Sequence, residues 1–175
     1  LVYRKDNDKK VLEGVPIKNY IRKESVEKVD EAIIKREKMV IYILVNYPEE
    51  SYKAIKDFIT VDDMKDVMDK QIIATIYEQY SKGKFNDVLG IFEEQEIVNY
   101  LSGIMADDFG ITDLNKCIED LLNIYNKEKL INARNKLMRE LESADKSNVS
   151  LVSEIETKLN EVIMKIAKLS RGYIK

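Results

Sequence analysis

The chain has 175 residues, 45% apolar and 35% charged, with a formal net charge of −3. That is enough for one domain, or one domain with a small appendage. Zero histidines and a lone Cys117 remove the commonest general base, the commonest transition-metal ligand and any internal disulfide, and point to a reducing, cytoplasmic setting.

Residues 1–24 read as a polar linker of mixed charge containing Gly14 and Pro16. The first helix is predicted from Ser25, a good N-cap, to Asn46. Val26, Val29, Ile33, Val40 and Leu44 form its apolar stripe, widened by Ile34, Ile41 and Val45. Asn46-Tyr47-Pro48 ends it, because the residue before proline avoids the helical region. Pro48 then suits the first turn of a second helix, expected over Pro48–Phe58. Thr60-Val61-Asp62-Asp63 reads as the capped start of a third, running through Met64, Ile72, Ile76 and Tyr80 to Ser81-Lys82-Gly83. Asn86–Phe92 and Glu94–Ala106 read as two shorter helices, and Asp107–Gly110 as a turn. From Ile111 to Arg171 there is neither glycine nor proline, which predicts two long helices. One starts near Thr112 with the stripe Leu114, Ile118, Leu121, Leu122 and Tyr125, then Leu130, Leu137 and Leu141. The five-residue step from Tyr125 to Leu130 shifts the stripe around the axis, so the first half should pack on the body and the second on the last helix. That last helix carries Leu151, Ile155, Leu159, Val162, Ile166 and Leu169, and Asp145–Asn148 is the turn between the two. The expectation is an all-α protein: a helical body over residues 25–126 and a C-terminal helical hairpin over 127–175. With no apolar run long enough to span a bilayer, no membrane partner is expected.

Little in the sequence points to catalysis. Asp62, Asp63, Asp66 and Asp69 lack the loop, glycine and terminal glutamate of a calcium site and read as helix caps. Asp107 and Asp108 read as a turn, Glu93, Glu94 and Glu96 as a solvated face, and Cys117 as a buried structural thiol with no base to activate it. No glycine-rich phosphate loop is present. No cofactor or metal is therefore expected. Of the ten tyrosines, Tyr42, Tyr77, Tyr80, Tyr100 and Tyr125 should pack near the core with hydroxyls at its rim, while Tyr173 stands at the chain end, where it is either an interface residue or a helix-end contact.

Charge is unevenly placed. Residues 24–126 carry 11 basic and 22 acidic groups, whereas 127–175 carry 11 basic and seven acidic ones. An acidic body argues against direct nucleic-acid binding, and a basic hairpin could be steered to an acidic partner. The apolar side chains of the last helix exceed what one facing helix covers, so the hairpin either folds back on the body or docks on another chain. The predicted partner-binding residues are Ile155, Leu159, Val162, Ile163, Ile166, Leu169 and Tyr173, with Lys165, Lys168 and Arg171 for steering. The start at Leu1 reads as a fragment from the end of a longer protein.

Val45-Asn46-Tyr47-Pro48-Glu49, then Phe58-Ile59-Thr60-Val61-Asp62-Asp63, then Gln71–Tyr80 and Gly83-Lys84-Phe85-Asn86 follow one another in an order that resembles the helical C-terminal domain of bacterial DnaG-type primases. The resemblance extends over roughly 150 residues and rests on diffuse apolar spacing. It implies a non-catalytic domain that binds the hexameric replicative helicase, with the hairpin supplying much of the contact and the body stimulating the helicase. It also implies zinc-binding and polymerising domains upstream in the parent primase, and an isolated domain that is monomeric. The N-terminal oligomerisation domain of the helicase itself has a similar body pattern and stands as the alternative. A carboxylate-dependent metalloenzyme and a regulatory nucleic-acid binder are further rivals.

Overall fold

The computed structural model describes residues 30–172, and all their regular structure is helical. Six α-helices follow in order: α1 Glu31–Asn46, α2 Pro48–Ile55, α3 Val67–Ser81, α4 Gln95–Ala106, α5 Leu114–Ser143 and α6 Val149–Gly172. Short 3₁₀ turns lie at Val61–Asp63 and Leu89–Ile91. α1 is the centre of the body and packs on α2, α3 and α4. Val40, Ile41, Ile43 and Leu44 on α1 are fully buried with Ile55, Ile59, Ile72, Ile73, Ile76 and Leu101. The first half of α5 closes this core with Ile118, Leu121 and Tyr125. Its second half pairs with α6, as the shifted stripe implies.

Local chemistry sets most of the helix ends. Pro48 has no N–H to donate to the Leu44 carbonyl, four residues back. The buried Tyr80 hydroxyl donates to that oxygen instead, at 2.8 Å. Buried Ser51 donates to the Ile43 carbonyl at 3.0 Å and the Tyr47 carbonyl at 2.6 Å, holding α2 against the end of α1. Gly83 ends α3 at φ 73°; the Gly83 N–H bonds the Tyr80 carbonyl and the Lys84 N–H the Gln79 carbonyl. That paired closure requires a left-handed residue, which glycine adopts without steric cost.

Several boundaries differ from the sequence expectation. Ser25 lies outside the described residues, and α1 is capped by Asp30, whose side chain accepts from the Ala32 N–H at 2.9 Å. α2 stops at Ile55, not Phe58. Thr60 does form a reciprocal cap with Asp63, but this closes one 3₁₀ turn only. α3 begins at Val67, with Asp66 accepting from the Met68 and Asp69 N–H groups. The interruption is built around Glu37, a carboxylate with no solvent exposure. It accepts from the Lys65 N–H at 2.6 Å and the Asp66 N–H at 3.0 Å. Those bonds need an open backbone, so the helix cannot run through Met64–Asp66. Only Leu89–Ile91 of the helix expected over Asn86–Phe92 forms, as a 3₁₀ turn. α5 starts at Leu114 with Asp113 as its cap.

Candidate protein-interaction surface

The hairpin is built by complementary periodicity. On α6, Val152, Ile155, Leu159, Val162, Ile166 and Leu169 recur at alternating spacings of three and four. On α5, Leu130, Ala133, Leu137, Leu141 and Ala144 at its end do nearly the same. Such spacing keeps one seam of each helix facing the other. Ile155 is 7% exposed, and its seam companions are half-buried. The turn is closed by Asp145, whose carboxylate accepts from the Ser147 N–H at 2.9 Å and the Ser147 hydroxyl at 2.8 Å. These donors hold the Asp145 carboxyl below its ordinary value.

The predicted partner-binding residues therefore separate into groups. Ile155, Leu159, Val162, Ile166 and Leu169 lie along the seam and are occupied with α5. Ile163 lies one step off the seam and is 44% exposed. Lys165 follows it by two residues, roughly 200° around the helix, and so lies on the other flank. Lys168 and Arg171 are exposed and turned further from the seam. Tyr173 lies outside the described residues.

The two flanks of the hairpin differ in chemistry. In an antiparallel pair, residues just after the seam on one helix adjoin residues just after the seam on the other. One flank thus brings Ile131 of α5 level with Ile163 of α6, with Met138 and Ile124 seven residues to either side on α5 and the exposed Glu156 and Ser170 seven residues to either side on α6. Met138 is 45% exposed, and Met164, next to Ile163, is 60% exposed. The opposite flank is charged. There the Lys158 ammonium is held above its ordinary value first by Glu154 on its own helix and then also by Glu140 across the hairpin. Lys165 shares that flank.

Polar clasps attach the hairpin to the body just beyond Tyr125. The Arg36 guanidinium donates to both oxygens of Glu128, at 2.7 and 3.0 Å, and stacks 4.7 Å from the centre of the Tyr125 ring. Lys129 bonds the Phe58 carbonyl and sits 2.8 Å from the Asp63 carboxylate. Burial works against the charge of Asp63, yet Lys129 and the Thr60 donors outweigh it and hold its carboxyl below the ordinary value. The Tyr125 hydroxyl is buried without a hydrogen-bond partner, not at the rim as expected, and burial pushes it up to about 12.

On the apolar side a cleft of about 290 Å³ opens between the body and α5, lined by Met39, Phe109, Ile111, Cys117, Leu121 and Ile124 among others. Cys117 is half-exposed there, not fully buried, with its Sγ 3.7 Å from the Met39 Sδ. Burial, and then Asp120, raise its thiol pKa. Among the described residues no group of three or more carboxylate or thiol side chains could hold a metal ion, and no helix is long and apolar enough to cross a membrane. Of the four predicted aspartates, Asp63 and Asp66 cap turns, and Asp62 is exposed. Asp69 is fully buried, its Oδ1 accepting from the Tyr100 hydroxyl at 2.8 Å and its Oδ2 left unpartnered. Sequence spacing did not separate the seam from its flank; lettering both helices against one another as an antiparallel pair would have done so. Compared with protein-family models, curated proteins and solved structures, the chain finds no match.

Proposed function

We propose that this chain is the helicase-binding domain of a DnaG-type primase, a non-catalytic module that docks primer synthesis onto the hexameric replicative helicase. The observation that supports this reading is the hairpin. One long helix leaves the body core, pairs with a single partner helix, and leaves Met138, Ile163 and Met164 uncovered. Exposed apolar side chains on a rigid support are a common feature of protein-docking elements. The order of sequence segments that resembles the primase domain supplies the identity of the partner. The basic balance of the hairpin supplies long-range steering toward an acidic surface.

The test is direct. The purified chain is mixed with the replicative helicase encoded in the same genome, and the masses are followed by light scattering. A complex heavier than the helicase hexamer is expected, and it should be lost when residues 143–175 are deleted. If no complex forms and the chain assembles into oligomers by itself, the reading as a helicase N-terminal domain replaces this one.

A further inference from the structure

We propose that the cleft between the body and the start of α5 is a docking site for the chain's own segment Tyr173-Ile174-Lys175, which folds back from the end of α6 and seats its two apolar side chains there. This contact is internal to the chain and does not depend on the helicase reading.

The end of α6 lies beside the cleft. Ile163 is level with Ile131, and the two helices run antiparallel, so each step forward on α6 is a step back on α5. Ser170 is thus level with Ile124, and Gly172 with Leu122. The cleft begins at that level: Ile124, Leu121, Asp120 and Cys117 form its α5 wall, and Met39 and Phe109 of the body line it too. The flank agrees with the level. Ile124 and Cys117 continue the seven-residue row of Ile131, on the side of the hairpin that carries Ile163 and Ser170. Four residues after Ser170, the helical spacing to the same face, stands Ile174. Three extended residues reach at most about 10 Å, roughly the diameter of one helix. A segment leaving α6 beside Ile124 therefore reaches the near wall of the cleft.

Size and charge fit the same occupant. The cleft holds about 290 Å³, just under the roughly 300–1,000 Å³ of pockets that enclose small molecules. It is of a size to take one or two anchoring side chains. Its walls are mostly apolar, with two carboxylates, Asp113 and Asp120, against one ammonium, Lys116. A tyrosine and an isoleucine followed by a lysine offer apolar surface for the walls and a cation for the carboxylates. Seated there, the segment is a third fastening of hairpin to body, after the Arg36–Glu128 and Lys129–Asp63 pairs. It ties down α6, which those two pairs do not touch.

Cys117 is the single thiol of the chain and lines the cleft, so its alkylation reports occupancy in the full chain. Its rate with N-ethylmaleimide should rise about tenfold when Tyr173→Ser and Ile174→Ser are combined. It should not change in Lys168→Ser, where the side chain is exposed and turned from the seam. Equal rates for all chains in urea check that the thiol itself is unaltered, and far-UV circular dichroism checks the fold. A second measurement needs no weakened contact: under oxidised glutathione, Ile174→Cys should form an intrachain disulfide with Cys117, and Lys168→Cys should not. An unchanged alkylation rate, or no disulfide from position 174, overturns the proposal. Equal disulfide formation from position 168 overturns the seating of the segment in the cleft. Protection that falls on dilution, or a disulfide joining two chains, places the segment in the cleft of a second copy and overturns the internal contact.

Discussion

Two buried carboxylates, Glu37 and Asp69, show how individual residues organise the body. Glu37 is a charge set in the middle of an apolar stripe, and it is tolerated because two backbone N–H groups point at it. Glu37→Ala should leave two part-buried donors without acceptors and cost about 1–3 kcal/mol, measured by urea unfolding; a cost near zero would mean that water replaces the carboxylate. Asp69 is the opposite case. Burial pushes its carboxyl from the ordinary 3.8 up to about 6, the Tyr100 hydrogen bond opposes this, Asp66 and Glu37 add to it, and Lys38 opposes it. The folded state therefore binds the Asp69 proton more tightly than the unfolded state does. Its favourable contribution is full below the unfolded value and is lost as pH rises through the folded one. Asp69→Asn removes this dependence. The difference in stability between Asn variant and wild type should move in favour of the variant between about pH 4 and pH 7, by on the order of 2–3 kcal/mol. A difference that is flat across that range would show that Asp69 stays charged in the folded protein.

At the scale of elements, the seam and its flank make separable predictions. Ile166→Asp places a charge in the seam and should melt α6 from the hairpin, costing about 2–4 kcal/mol of local stability. Hydrogen exchange would show α6 amides losing protection while α1 and α3 amides keep theirs. Uniform loss of protection would mean that hairpin and body unfold as one. How legible these elements were depended on whether local or distant groups define them. The end of α1 at Asn46 and the turn at Asp145–Asn148 were readable because proline and polar breaks act within a few residues. The break before α3 was not, because the group that causes it, Glu37, lies 28 positions upstream of Lys65. A glutamate in line with Ile33, Val40 and Leu44 was the available signal. The site was legible only in part. Counting apolar residues on α6 pointed to the hairpin but merged side chains that serve α5 with Ile163, which lies off the seam and is 44% exposed.

For the whole molecule, the core is complete once α5 has passed Tyr125, and both clasps are made by Glu128 and Lys129. A chain ending at Lys129 should therefore keep a cooperative thermal transition, with a midpoint within about 5–10 °C of the intact protein. Its loss would mean that α6 supports the body through contacts other than α5. The same arrangement gives α5 a mechanical role. Among the described elements it is shared by both parts, gripped at Tyr125, Glu128 and Lys129, with Ile131 and Asn132 still facing Ile33 and Asp63 of the body across a cavity. From Tyr125 to Ser143 it forms a stiff arm of roughly 27 Å. A tilt of about 10° at the grip carries the hairpin tip about 5 Å. The geometry is that of a lever with a gripped fulcrum, in which a small change at the grip becomes a larger displacement of the hairpin tip.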